Sequence, residues 1–301
     1  MQALKQWLKP ILKPPLDALT RVLRKRQLSS ELTHVTAASL QRDIAASPLP
    51  KGASVLVHTS LKAIGFVEGG AEAVVDALIK SVVEDGGGNL MLPTYSIDGT
   101  MCNTLSSGRV FDVLNTPSNL GAIPEAFRRR DGVRRSVHPS HSFSAMGPDA
   151  AWLTADHHLA GTNFGANTPM VRLMERGGYL MGIGTHLGTV TFYHCLEDVV
   201  ENFPLAAYSD DSPFDVECLD WEGHSHHLRL PGHAPANVAT RIDRPENQAL
   251  RDLYTRRLEA NAGLRWFPIG TTRGWVIALD DMYRECLKLL DEGLSVYAKM
   301  D

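Results

Sequence analysis

Histidine is the residue type through which this chain could do proton chemistry near neutral pH. Its twelve histidines fall into groups: His138 and His141 in Ser136-Val137-His138-Pro139-Ser140-His141-Ser142, the pair His157-His158, His186 with His194, and His224, His226, His227 and His233. Zinc hydrolases of the H-E-x-x-H type place two histidines four apart on a helix around a glutamate. No group here has that spacing, so a metal-dependent hydrolase is the weaker alternative and no metal is expected. Alternation along a hairpin arm puts His224 and His226 on one face, where exposed strand histidines account for them. His194 is different. In Thr191-Phe192-Tyr193-His194-Cys195-Leu196-Glu197-Asp198 it stands three residues before Glu197 and four before Asp198, offsets that share one helical face. A carboxylate bonded to one ring nitrogen fixes the tautomer and raises the basicity of the other, as a general base requires. Phe192, Leu196, Val199 and Phe203 form the opposite apolar stripe, so periodicity alone favours His194, Glu197 and Glu201 as a solvated face.

Charge is unevenly spread along the chain. From Gly177 to Leu228 there is no Lys or Arg, while Glu197, Asp198, Glu201, Asp210, Asp211, Asp215, Glu217, Asp220 and Glu222 all fall inside; a cationic ligand would be drawn to such a region. By contrast, Arg128, Arg129, Arg130, Arg134 and Arg135 crowd just before Ser136. Guanidinium groups suit phosphate oxygens, although an exposed helix end would explain the same run. Thr59-Ser60-Leu61-Lys62, ahead of Gly65, Gly69 and Gly70, offers hydroxyls and backbone N–H groups of the kind that hold phosphate at a strand end. One pole for an anion and one for a cation would suit a phosphate-bearing donor and an amine acceptor.

The elements that must position these groups follow from composition and periodicity. The 301 residues are 44% hydrophobic and 21% charged, a globular composition that excludes extended disorder and coiled-coil arrays. No apolar run reaches the roughly 18 residues of a membrane span, and Pro10, Pro14 and Pro15 interrupt any secretory signal. Cys102, Cys195, Cys218 and Cys286 form no C-x-x-C pair, so neither a disulfide framework nor a thiolate zinc site is expected, and a reducing cytoplasm is the expected compartment. Seven Lys/Arg against Asp17 give residues 1–28 a net charge of +6, leaving −10 on residues 29–301 of a chain whose net charge is −4. The acidic body excludes nucleic acid as a partner. The first 28 residues also carry apolar positions at helical spacing; they either pack on the protein or a second subunit, as in a homo-oligomer, or lie on an anionic bilayer at the inner membrane face.

A helix is predicted from the N-cap Thr36 to about 46, then a buried strand over Ser54–His58. A helix over 71–84 ends at Gly86-Gly87-Gly88, and a second strand covers Asn89–Pro93. That is a βαβ unit, which requires a sheet covered by helices. Residues 178–184 read as a further strand, 191–202 as a helix, 214–230 as a hairpin around Glu222-Gly223, and about 246–260 and 280–292 as long helices. A single α/β unit over 29–301, with 1–28 as an extension, is the expected organisation.

Over roughly residues 36 to 292 these blocks, in order, resemble the aminoglycoside N(3)-acetyltransferase family. Val57-His58-Thr59-Ser60-Leu61-Lys62-Ala63-Ile64-Gly65 is similar to its opening strand and turn, and Gly88-Asn89-Leu90-Met91-Leu92-Pro93-Thr94-Tyr95 to its second strand. Arg135 to Ser142, followed by Gly147-Pro148 and Ala150, resembles its most distinctive block; Thr168-Pro169 stands where it usually has Ser-Pro; and Thr191 to Glu197 looks like its catalytic segment. The resemblance implies a three-layer α/β/α fold with a mixed central sheet and acetyl transfer from acetyl-CoA, as co-substrate, to an amino group. It implies His194 as general base on the acceptor amine, Glu197 orienting it, and direct attack without an acyl-enzyme. Thr59, Ser60, Leu61, Lys62, Ser136, His138 and Ser142 would hold CoA, with backbone donors near Thr59–Leu61 at the oxyanion, and Tyr95, His186 and Asp198 would face the acceptor. After Gly184 the family usually carries an aromatic-Asp pair, where this chain has Thr185-His186-Leu187-Gly188. That loss of an acidic residue favours an amino sugar of a cell-surface polysaccharide pathway as acceptor, with an aminoglycoside as the alternative.

Overall fold

The aliphatic runs pair side by side in the computed structural model, which describes residues 34–298; the segment 1–28 lies outside the described residues. In chain order the elements are α1 (Ala37–Ala45), β1 (Ser54–Thr59), α2 (Gly70–Leu78), β2 (Asn89–Pro93), α3 (Ala122–Arg128), β3 (Arg134–Arg135), β4 (Phe143–Met146), α4 (Ala150–Thr154), α5 (Pro169–Glu175) and β5 (Tyr179–Ile183). They continue with α6 (Tyr193–Val199), β6 (Phe214–Leu219), β7 (Ser225–Leu230), α7 (Gln248–Asn261), β8 (Arg265–Ile269), β9 (Thr272–Ala278) and α8 (Leu279–Asp291).

Seven strands form one sheet in the order β8-β9-β5-β1-β2-β4-β3. Central β1 runs parallel to β2 (Leu56 opposite Met91) and to β5 (Val57 opposite Met181). The outer strands add antiparallel on both sides, so the sheet is mixed, as expected. Because strand side chains alternate between faces, Val55, Val57, Leu90, Leu92, Met181 and Ile183 pack with α1, α2 and α3. Leu56, Met91 and Leu180 pack on the other face with α4 to α8. These are the three layers α/β/α.

Local chemistry explains the boundaries. Thr36 and Ser39 cap α1 reciprocally, each hydroxyl accepting the other's backbone N–H at 3.0–3.1 Å. Helix α2 passes into a π-helical stretch, Ile79–Glu84, and stops where Gly87 takes φ +69°. Helix α6 is shorter than its periodicity predicts: Val200 is already extended. The predicted hairpin is β6–β7, joined in a separate sheet by the short strand Phe111–Asp112. Strands β4, β8 and β9 were not legible. Phe-Ser-Ala-Met carries no β-branched residue, and Pro268 in β8 is tolerated only because that strand is an edge. Among the described residues, no helix is long and apolar enough to cross a membrane.

Candidate active site

The carboxyl ends of parallel β1, β2 and β5 point to one edge of the sheet, with α2 crossing on one face and α5 entering from the other. Ligand crevices of α/β sheets form at such a switch point. A cavity of about 440 Å³ opens there, lined by His58, Thr59 and Ser60 at the end of β1, Pro93 and Tyr95 at the end of β2, Thr185 and Gly188–Thr191 after β5, and His194 of α6. The β5 side is fixed by a close approach. A Cβ on Gly182 would sit 2.1 Å from the Trp275 ring, and that ring's Nε1–H donates to the Thr185 carbonyl at 2.9 Å.

His194 lies in the cavity wall. Its Nδ1 meets Glu197 Oε1 at 2.7 Å, His233 Nε2 meets Oε2 at 2.8 Å, and the Tyr297 hydroxyl donates to Oε1 at 2.6 Å. The Glu197 side chain is 0% exposed, so this face of α6 is an interior polar network and not the solvated face that periodicity favours. Burial alone would raise the Glu197 carboxyl, but the charge and hydrogen bond of His194, then His233, outweigh it and hold it well below the usual range. Burial pushes His233 down, against its bond to Glu197, so it donates as a neutral ring. Burial, then the Glu197 charge, pushes the Tyr297 phenol up and keeps it a donor. His194, Glu197 and His233 also have the composition of a metal site, with donor atoms within 4.8 Å, yet three hydrogen-bond donors satisfy the carboxylate without an ion. The His194 ring stacks on Phe164 at 5.6 Å. With Nδ1 engaged, Nε2 is the nitrogen left for whatever enters the cavity.

Around that nitrogen, His58 Nε2, Thr59 Oγ1, Tyr95 Oη and Thr185 Oγ1 are buried without a hydrogen-bond partner, Tyr95 only approaching Thr191. Burial pushes His58 down to about 4, so it is neutral. A buried polar atom left unpaired costs about 1–3 kcal/mol; four around one cavity match a polar ligand that would complete them.

The structure divides the other expected residues. Thr59, Ser60 and Tyr95 line the cavity. Leu61 and Lys62 begin the short turn Leu61–Ile64, with Lys62 exposed. His186 is an exposed neighbour of the lining residues, at the start of the turn Leu187–Thr189. Ser136, His138 and Ser142 are wholly buried and bonded inside, except that His138 Nε2 is left without a partner. Ser136 Oγ pairs with His157 Nδ1 (2.9 Å) and accepts the Phe143 N–H (2.9 Å). His138 Nδ1 accepts the His141 N–H at 3.0 Å while its ring stacks on His157. Ser142 Oγ donates to the Thr94 carbonyl at 2.8 Å. Asp198 accepts the Phe164 N–H at 2.7 Å and the Tyr208 hydroxyl; it holds the ring beneath His194 and does not line the cavity.

Neither charged pole expected from the sequence forms a wall of this cavity. Arg135 is 2% exposed with its donors committed to Ser142, Val113, Thr116, Thr94 and Ser96. Arg128 is paired with Glu125, and Arg130 with Glu72 and Asp76. Of the acidic run, Glu197 and Asp198 turn inward. Among the described residues the cavity's one carboxylate is Asp243, gripped by Arg241 at 2.7 and 3.0 Å. His233 and Tyr297 escape sequence reasoning because they lie 36 and 100 residues from Glu197, with no local pattern to mark them.

Residues 56–284 match the family model described as aminoglycoside 3-N-acetyltransferase. Aminoglycoside N(3)-acetyltransferase VII of Streptomyces paromomycinus is 35% identical over 180 residues, 56% of this chain and 62% of that protein. The type IX protein of Micromonospora chalcea is 32% identical over 180 residues, 56% of this chain and 63% of its own length. The chain thus spans less than two thirds of the length of these curated relatives. Among solved structures, AAC-IIIb in a binary complex with CoASH superposes with a TM-score of 0.71 at 22% identity, covering 89% of this chain and 100% of that one. AAC-VIa bound to sisomicin gives 0.70 at 25% identity, covering 87% and 99%. These likenesses extend to the whole three-layer fold.

Proposed function

Because this chain belongs to the aminoglycoside 3-N-acetyltransferase family, we propose that it transfers acetyl from acetyl-CoA to an amino group of an amino-sugar acceptor, with His194 as general base. The observation that carries this reading is His194 held through Nδ1 by a wholly buried Glu197, with Nε2 left to the cavity at the carboxyl ends of β1, β2 and β5. An amine must shed a proton to become a nucleophile, and a positioned base contributes roughly two to four orders of magnitude. His194 Nε2 takes that proton as the nitrogen attacks the thioester carbon. The C–N bond forms, the C–S bond breaks, and the proton passes from His194 to the departing sulfur, giving CoA thiol.

Cys195 does not supply a covalent route. It is 1% exposed and burial pushes its thiol well up, so attack is direct. Of the backbone donors at the strand end, Ser60 N–H is spent on the Ile183 carbonyl at 2.9 Å. The unpartnered Thr59 and Tyr95 hydroxyls are side-chain donors toward a developing oxyanion, beside any backbone N–H the strand end leaves free. The curated relatives make aminoglycosides the first acceptors to try. The single, paired carboxylate of the cavity wall favours acceptors with fewer ammonium groups, such as mono-amino sugars and their nucleotide-linked forms. A screen of these classes for CoA-thiol release from acetyl-CoA tests the reading. It predicts release that requires both acetyl-CoA and an amine, and amine-independent hydrolysis or silence across the whole panel contradicts it.

A further inference from the structure

Glu197 is gripped by donors from three separate stretches of chain, and the most distant is Tyr297. The segment carrying it lies antiparallel to the loop beside the cavity: Ile242 N–H donates to the Val296 carbonyl at 2.8 Å, Ala298 N–H to the Thr240 carbonyl at 2.6 Å, and Arg241 bridges Tyr297. Arg241 and Asp243 of that loop line the cavity. A gap of only about 20 Å³ remains where His194, Arg241, Asp243 and Tyr297 meet. Tyr297 is 6% exposed, and its hydroxyl lands on Oε1, the same oxygen that takes His194 Nδ1.

We propose that Tyr297 is a positioning residue for the general base: docking of segment 296–298 against residues 240–242 delivers its hydroxyl to Glu197, fixing the carboxylate that orients His194 and sharing its charge. The proposal rests on the reading of His194 as the base. A third donor adds to the two imidazoles on Oε1 and Oε2 and stiffens the carboxylate's hold on His194. A hydrogen bond to a charged group is also roughly twice as strong as a neutral one. The other charged or titratable groups facing this centre are His233 on Oε2, His141 across the cavity, Asp198 with Tyr208 beneath, and the Arg241–Asp243 pair. None of them donates to Oε1.

Without the phenol, Oε1 concentrates its negative charge on the remaining contact, the more protonated form of the centre is favoured, and activity needs a higher pH to appear. Y297F removes only the hydroxyl. It should lower kcat by about tenfold, leave CoA affinity by calorimetry unchanged, and move the acid limb of the kcat/KM profile to higher pH. Wild-type kcat with an unmoved limb overturns the proposal, as does a loss confined to CoA affinity. In an E197Q background the same substitution should add little, because the group it positions has changed; full multiplication of the two losses would place the action of Tyr297 elsewhere. H194A separates the two claims: if it keeps full activity, the base assignment fails, whereas a dead H194A beside a wild-type-like Y297F sinks only the role of Tyr297.

Discussion

Two buried polar networks in this protein differ in how completely they are closed. One centres on Arg135, whose guanidinium lies 4.9 Å over Phe111 and gives hydrogen bonds to Ser142, Ser96 and the carbonyls of Thr94, Thr116 and Val113. Burial pushes its pKa down to about 9, with Arg128 adding repulsion and Glu125 opposing it, and no N–H is left for a ligand. The other centres on Glu197, which is just as buried and takes three donors, one of them an imidazole with its second nitrogen at a cavity. The Arg135–Ser142 stretch is the denser in histidine, serine and arginine, yet apart from His141, which lines the cavity, it braces the loop between β3 and β4. What marks the candidate site is a hydrogen-bonding valence left open toward a ligand-sized space, and not the number of polar residues.

The largest effect expected from breaking this contrast is in H194A. Its kcat should fall by about 10²–10⁴-fold while the urea midpoint falls less than in R135M, because His233 and Tyr297 still donate to Glu197. Steady-state kinetics paired with urea unfolding checks both halves, and a variant that lost stability and activity together would erase the distinction. Next is R135M, which strands several buried carbonyls. Each costs about 1–3 kcal/mol, so a loss of about 3 kcal/mol or more is expected in urea unfolding, with kcat per folded molecule little changed. A marked fall in kcat of the folded enzyme would give Arg135 a part in the chemistry.

The smallest effect sharpens the comparison through pH. Burial pushes His157, which braces Ser136, down to about 3. The unfolded chain protonates such a ring near 6.5 and the folded one does not, so the unfolded state binds more protons as pH falls below 6.5. Stability therefore drops with falling pH over the window from about 6.5 to 3, by about 1.4 kcal/mol per pH unit for each such histidine. H157Q should flatten the urea-stability slope between pH 6.5 and 5 by one histidine's share; identical slopes would contradict the neutral, enclosed ring.

How much of this was legible in the sequence depends on range. The βαβ core was readable because Ser54–His58, the α2 periodicity and Asn89–Pro93 each declare themselves locally, and the hairpin over 214–230 did so through its turn. His194 with Glu197 was readable as a pair because one helical turn fixes their geometry, but their burial was not, since the residues that enclose them come from elsewhere. Phe164, His233 and Tyr297 reach the pair, and Tyr208 reaches Asp198 beside it, only through tertiary packing. For the same reason, the arginine run and the acidic run looked like ligand-binding poles: sequence shows a charge but not the partner that already holds it. Arg135 among carbonyls and Asp198 under Phe164 are the two clearest cases.

The claim that the open nitrogen of His194 marks the place of reaction is tested most directly by a crystal structure with CoA and an amine acceptor bound. The account predicts the thiol sulfur and the acceptor nitrogen together in the cavity bounded by His58, Tyr95 and Thr185, with the nitrogen within hydrogen-bond reach of His194 Nε2, about 3 Å. Binding of both ligands with the reacting atoms remote from that ring, for example in the crevice between Gln41 and Gly86, would contradict it.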